Sequence, residues 1–218
     1  MNEQKRMNIL LAFLFVMLIV AVFLIIADPT KKPNQFIYNG FVITRFRLPS
    51  APDVTFHSVD LFVSNKQYNI PLRNNPQDLE SIRVSGLDKV SWLSLIKESD
   101  NYDVKADRVY ITFNPTKLVG GDVVIAGGEI VRVLGSGQGG IYKKQVSAAF
   151  TQQLNGSSTQ VKDCQDASSD TGIIRLELGE DNRVYAEGDC VIIEGQTYSD
   201  LIRSSDRFLL ALLGVINL

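Results

Sequence analysis

An N-terminal run of apolar residues constrains this chain more than any other feature. Residues 9–27 are all Leu, Ile, Val, Phe, Met or Ala, and none of them is charged. Since a helix rises about 1.5 Å per residue, the run is long enough to cross the hydrocarbon core of a bilayer. We therefore predict a transmembrane signal-anchor helix over residues 9–27. The alternative, a cleaved signal peptide, is disfavoured because Ile25 stands where a cleavage site needs a small residue.

The basic residues that flank this run orient it only weakly. Lys5 and Arg6 precede it, and Lys31 and Lys32 follow it, so the bias that normally places positive charge inside is slight. The orientation of the chain must therefore be inferred from residues beyond the anchor.

The two cysteines, Cys164 and Cys190, provide that information. A zinc site needs about four ligands, and the chain has no Cys-x-x-Cys motif and only one histidine, His57. A Cys164–Cys190 disulfide is the better interpretation, and it implies an oxidising, extracytoplasmic compartment. Asn155 begins an Asn-Gly-Ser pattern that is a possible N-glycosylation acceptor. These residues predict a single-pass protein of the cell membrane with its folded part outside.

Composition limits the classes of partner. Apolar residues make up 45% of the chain, so the part beyond the anchor can bury a core. The 22 basic and 24 acidic residues are well mixed and give a net charge of −2. No basic patch for nucleic acid is evident, and we expect membrane lipid at the anchor and protein partners in the envelope.

The pattern along the chain predicts a mixed α+β ectodomain. We expect β hairpins first and then a strand–helix–strand–strand–helix core. The predicted segments are a cytoplasmic N-terminus at 1–8, the anchor at 9–27, a stalk at 28–35, a β-hairpin subdomain at 36–86 and an α/β subdomain with a C-terminal helix at 87–218.

Individual elements follow from local signals. Asn39-Gly40 predicts a two-residue hairpin turn, and residues 54–63 and 67–73 predict a second hairpin. Spacing of apolar residues predicts a helix at 87–97. The segment 122–134 fits either a Gly-Gly hairpin or a helix. The clearest helix comes last, with Ser199 as its N-cap and Gly214 at its end. The remaining predicted strands are 108–113, 144–152, 172–178, 184–186 and 190–194.

No motif predicts a catalytic, cofactor-binding or metal-ligating residue. The glycine-rich stretch 135–140 fits a dinucleotide fingerprint, but a helix before it and a strand after it would invert the required context, so we interpret it as a connector. His57 lies in a hairpin strand without a nucleophile elbow elsewhere, which indicates a surface or edge-strand histidine. The carboxylate pairs Asp100 with Asp103 and Asp163 with Asp166 are expected to be solvated loop residues. Asp206-Arg207, with Asp200 and Arg203, is expected to form a network of opposite charges on the surface of the last helix.

Several phrases, taken as a set and in this order, resemble an uncharacterised archaeal family of single-pass, membrane-anchored extracytoplasmic proteins. They are Tyr38-Asn39-Gly40-Phe41, Ile70-Pro71-Leu72-Arg73 with Asn75-Pro76, Val109-Tyr110-Ile111-Thr112-Phe113-Asn114-Pro115, Cys164, Gly188-Asp189-Cys190-Val191-Ile192-Ile193-Glu194-Gly195, Asp206-Arg207 and Leu213-Gly214. The resemblance implies a helix rather than a hairpin over 126–134. It implies no activity.

Three functions are compatible with these observations. The leading hypothesis is a non-enzymatic protein that binds or scaffolds envelope partners. The second is a hydrolase or transferase that acts on cell-surface polymers through carboxylates about 5–10 Å apart. The third is an accessory subunit of a membrane complex, held by its anchor.

Overall fold

The computed structural model describes residue 17 and residues 34–63, 66–96, 101–137 and 139–216. The chain divides into two compact units, residues 1–36 and residues 37–218. The predicted anchor at 9–27 lies outside the described residues apart from Met17. Among the residues that are described, no helix has both the length and the apolar character needed to cross a bilayer.

The described residues form a mixed α+β fold, as predicted, with more strand than helix. Three short 3-10 helices span Pro76–Leu79, Leu87–Lys89 and Cys164–Asp166. In chain order the other elements are β1 (Gln35–Tyr38), β2 (Phe41–Leu48), β3 (Ala51–Val63), β4 (Lys66–Leu72), β5 (Arg83–Ser85), β6 (Leu93–Ile96), β7 (Asn101–Val104), β8 (Arg108–Phe113), α1 (Gly121–Leu134), β9 (Gln145–Phe150), β10 (Thr171–Leu178), β11 (Arg183–Glu187), β12 (Cys190–Gly195) and α2 (Tyr198–Leu212).

The first four strands form one sheet in the order β1-β2-β3-β4. Asn39 and Gly40 connect β1 to β2 with φ angles of 47° and 83°, which is the left-handed backbone that a two-residue turn requires. The predicted hairpin at this turn is therefore confirmed. The second predicted hairpin is also confirmed as the antiparallel pair β3–β4, although residues 64–65 at its tip lie outside the described residues.

A six-stranded sheet follows, in the order β5-β11-β12-β10-β8-β9. Strands β12, β10, β8 and β9 run parallel to one another, whereas β11 is antiparallel to β12 and β5 runs with β11. Helix α1 makes the crossover from β8 to its parallel neighbour β9, a connection that parallel strands require. The predicted strand at 108–113 is thus confirmed. The segment 122–134, for which local signals allowed a hairpin or a helix, lies in a helix, as the resemblance implied for 126–134.

The two faces of this sheet are covered by different parts of the chain. Helix α1 lies over Ile111 and packs against α2, which in turn packs against β12. The opposite face carries a smaller core, against which Cys164 and Ala167 pack from the segment that leads from β9 to β10. The buried residues of this smaller core are Tyr110, Ala149, Ile173, Cys190 and Ile192. Successive side chains of a strand point to opposite faces of the sheet. Because both faces are covered, the strands are apolar on both sides.

The predicted helix at 87–97 is wrong. A 3-10 turn at Leu87–Lys89 is followed by the extended strand β6, which pairs with β7 to form a separate two-stranded sheet. Tertiary packing decides this conformation, because the Trp92 side chain is fully buried and its Nε1 donates to the Asp189 carbonyl at 2.7 Å. A Cβ at Gly172 would lie only 3.0 Å from the Trp92 ring, so the glycine makes room for the indole.

Two expectations about the C-terminal helix are also corrected. Its N-cap is Thr197, whose hydroxyl accepts a hydrogen bond from the Asp200 N–H at 3.1 Å, and not Ser199. Asp206 and Arg207 are buried, with exposed fractions of 0% and 4%, and are not a surface pair. The reason is that α2 packs against both α1 and β12, so little of its surface is left for solvent.

Candidate functional site

An apolar groove of about 520 Å³ runs between helix α1 and strands β8 and β9. Its floor includes Ile111 and Phe113 of β8 and Ala148 of β9. These side chains share one face of the sheet because residues that pair across a parallel ladder point the same way. The groove therefore follows the outer edge of the six-stranded sheet.

Two adjacent glycines form the helical wall of this groove. A Cβ at Gly128 would meet no atom within 4 Å, and a Cβ at Gly127 would meet only Ile111 Cγ2, at 3.8 Å. Each glycine inside a helix lowers stability by about 0.5–1 kcal/mol relative to alanine. Helix α1 therefore keeps an open wall here although larger residues would fit and would stabilise it.

Exposed aliphatic side chains border the groove. Val119 and Val124 are 67% and 73% exposed, and Val131 and Leu154 are 42% and 38% exposed. Single exposed apolar residues are common on soluble surfaces, but a contiguous set around one concavity is typical of an interaction site. This surface is therefore suited to bind a partner by burying the partner's apolar side chains.

The strand that bounds the groove, β9, is an edge strand. The backbone groups of successive β9 residues point alternately toward β8 and away from the sheet. The Gln145 N–H donates to the segment that leads into β8, whereas the Phe150 N–H points away from the sheet and donates to the Gln160 carbonyl at 2.9 Å. By this alternation the backbone N–H and C=O groups of Val146 and Ala148 point outward. Within the described part of the chain, no backbone group pairs with them. An added strand could use these groups.

The predicted disulfide lies on the opposite face of the sheet. Cys164 and Cys190 are bonded, with their Cα atoms 5.0 Å apart, so this prediction is confirmed. The bond ties the 3-10 helix at Cys164–Asp166 to the start of β12. Asn155 is exposed in the preceding loop, and its glycosylation stays a prediction.

The glycine-rich stretch 135–140 connects α1 to β9. A helix enters it and a strand leaves it, which is the reverse of the arrangement that a dinucleotide-binding loop needs. The predicted context is therefore confirmed over the described residues, which exclude Gln138.

His57 lies in a hairpin strand, as predicted, but it is neither on the surface nor in an edge strand. It lies in β3, an interior strand with pairing partners on both sides, and it is only 8% exposed. Burial, assisted by the nearby charge of Arg45, holds the pKa of His57 below its ordinary value. The expectation of a surface or edge-strand histidine is wrong because the length of β3 lets β2 and β4 pair along both of its edges.

The carboxylate pairs singled out from the sequence have local structural partners. Asp163 and Asp166 form a capping box around the short 3-10 helix, and Asp166 also accepts from Lys162 Nζ at 2.8 Å. Asp100 lies outside the described residues. A different pair shares a cavity of about 320 Å³: Asp163 lies 3.5 Å and Glu177 lies 3.0 Å from nitrogens of Arg175.

A buried acid pair between the two helices was missed. Glu129 of α1 is 5% exposed and Asp206 of α2 is 0% exposed. Asp206 Oδ2 accepts from the Asn74 backbone at 3.1 Å and from its side chain at 2.8 Å, while Arg73 Nε lies 3.3 Å from Glu129 Oε1. Burial first, and then the negative charge of Asp206, raise the pKa of Glu129 to about 9. The available signal was an acidic residue at an apolar position of each helix.

In the described ranges, no three His, Cys, Asp or Glu side chains cluster in a way that could hold a metal ion. Comparisons with protein families, with curated proteins and with solved structures find no match to this chain. The candidate site is therefore defined by its geometry.

Proposed function

We propose that this chain is a membrane-anchored extracytoplasmic protein that binds a protein partner of the envelope in the groove between α1 and β9. The proposal depends on one observation: an open apolar groove lies beside an edge strand whose backbone N–H and C=O groups at Val146 and Ala148 point away from the sheet. The apolar run at 9–27 supports attachment to a membrane, and the Cys164–Cys190 disulfide supports an oxidising compartment.

The groove and the strand edge select one kind of occupant, an extended polypeptide segment with small or apolar residues at alternate positions. Its backbone would bond to Val146 and Ala148, and its alternate side chains would enter the groove. Affinity in this mode comes from main-chain hydrogen bonds and specificity from the pockets. Lys143 and Lys144 precede β9, so an acidic residue at that end of the segment would add complementary charge.

Site-directed photo-cross-linking in native membranes tests this proposal. A photoreactive phenylalanine analogue would replace Val124, which is 73% exposed at the groove, and in a matched control it would replace Phe62, which is 75% exposed on β3. We expect a protein adduct from position 124 and none from position 62. Equal adducts from both positions, or none from position 124, would refute the proposal.

A second candidate is the carboxylate-dependent hydrolase or transferase. It is favoured by one observation, the presence of Asp163 and Glu177 in a single cavity. Both side chains also contact Arg175, which makes a positioning network the simpler role for them. Incubation of the full-length protein with cell-wall polymers would decide, because only this candidate predicts product release that Glu177→Gln abolishes.

The accessory-subunit hypothesis differs in where the partner binds. It predicts cross-links through residues 9–27 in the membrane, whereas groove binding predicts them through Val124. The same photo-cross-linking experiment, with the analogue placed in the anchor, separates the two.

A further inference from the structure

The other edge of the six-stranded sheet carries a cleft of different chemistry. Strand β5 is only three residues long, and a cavity of about 610 Å³ lies along it and along β11. Arg83, Arg183 and Arg207 line this cavity, and Glu80 is its one acidic lining residue among those described. The cleft is therefore lined by three guanidinium groups and one carboxylate, on a protein whose net charge is −2.

Acids that do not line the cleft contact the guanidinium groups of Arg83 and Arg183. Arg83 lies 3.1 Å from Asp181, and Arg183 lies 2.7 Å from the buried carboxylate of Glu194. Arg183 also stacks on the Tyr185 ring at 4.4 Å, which restrains its plane. A guanidinium group has five N–H donors, and each of these contacts uses only some of them.

The third guanidinium, that of Arg207, comes from the buried helix α2. Its Nε donates to the Ile82 carbonyl at 3.2 Å, directly before β5, and the residue is 4% exposed. Burial lowers the pKa of Arg207, while Tyr38 and Glu80 oppose that effect. A positive charge that has lost much of its hydration attracts an anion more strongly than an exposed one does.

We propose that the cleft along β5 binds a ligand through a phosphate or carboxylate group. Planar guanidinium forks match the geometry of these oxyanions, and two of the three forks are restrained before the ligand arrives. Free phosphate and the carboxylate of an acidic sugar share this chemistry. This site is separate from the α1–β9 groove and does not depend on the function proposed for it.

Calorimetry on the full-length protein in detergent tests the proposal with three probes: inorganic phosphate, D-glucuronate and the uncharged D-glucose. We expect phosphate or glucuronate to bind with a dissociation constant in the millimolar range or tighter, and glucose not to bind. The oxyanion that binds more tightly identifies the source of the ligand. Absence of binding by both anions, or equal binding of glucose, would overturn the proposal.

Three variants make the test specific to the cleft. Loss of one charge-assisted contact in Arg83→Gln should weaken binding about tenfold. Arg108→Gln, on β8, removes the same charge outside the cleft and should leave binding unchanged. Glu80→Gln removes the acidic group of the cleft and should tighten binding, so it remains informative if Arg83→Gln folds poorly. Equal effects of Arg83→Gln and Arg108→Gln would overturn the proposal.

Discussion

Replacing Glu129 by glutamine should stabilise this protein at neutral and alkaline pH. The substitution keeps the size and hydrogen-bonding capacity of the side chain and removes its ability to ionise. In the native protein, Glu129 and Asp206 are buried together, and burial raises the pKa of both carboxyl groups. Glu129 Oε2 and Asp206 Oδ1 have no other hydrogen-bond partner among the described residues, which favours a proton held between the two groups.

The size of the effect follows from the pKa of Glu129, which is about 9 in the folded protein and 4.5 for the ordinary group. Between these values the folded state binds more protons than the unfolded state, so stability falls as pH rises through the window. The slope is at most about 1.4 kcal/mol per pH unit, which gives up to about 3 kcal/mol at neutral pH. Arg73, 3.3 Å away, reduces this cost but is itself partly exposed, so burial dominates.

Denaturant unfolding followed by tryptophan fluorescence measures this directly, because Trp92 is the single tryptophan and is fully buried. Wild type should lose stability between about pH 4.5 and about pH 9, and Glu129→Gln should remove most of that loss. Asp122→Asn, at an exposed position in the first turn of the same helix, is the matched control and should keep the wild-type slope. A Glu129→Gln protein that is less stable than wild type at the higher pH would refute the reasoning.

Three further outcomes are expected. Gly128→Ala should raise the free energy of unfolding by about 0.5–1 kcal/mol, because its Cβ enters open space on α1. The same variant should weaken partner cross-linking, so an unfolding assay and a cross-linking assay check the two effects. Val119→Asp should leave thermal stability nearly unchanged, because the side chain is 67% exposed, and should abolish the adduct formed by the analogue at position 124; an unchanged adduct yield would count against the docking site. Cys164→Ser should lower the free energy of unfolding by about 3 kcal/mol, since it opens a loop with a sequence separation of 26, and an equal unfolding midpoint for the two proteins would contradict this.

Elements governed by neighbouring residues could be predicted from the sequence. Asn39-Gly40 accepts positive φ angles, so the first hairpin follows from local chemistry. Gly214, with φ of 70°, ends α2 for the same reason. The disulfide could be predicted because the chain has only two cysteines, and the apolar pattern of residues 172–178 located β10.

The failures occurred where distant residues override local preference. The apolar spacing at 87–97 fits a helix, but the Trp92 ring packs against Gly172 and its Nε1 donates to the Asp189 carbonyl. The residues after Trp92 then pair with β7 as strand β6. His57 was interpreted from a strand taken alone, and only the pairing of β2 and β4 with β3 buries it.

The sequence by itself determined the turns, the helix end at Gly214, the disulfide partners and the mixed α+β class, because each depends on residues close in the chain or on the mere number of a residue type. Its apolar run at 9–27 predicts a membrane anchor, and that stays a prediction. The tertiary structure alone decided the groove beside β9, the Glu129–Asp206 pair and the arginine cleft along β5. Each of these joins residues far apart in sequence, and their proximity arises only when the strands pair and the helices pack.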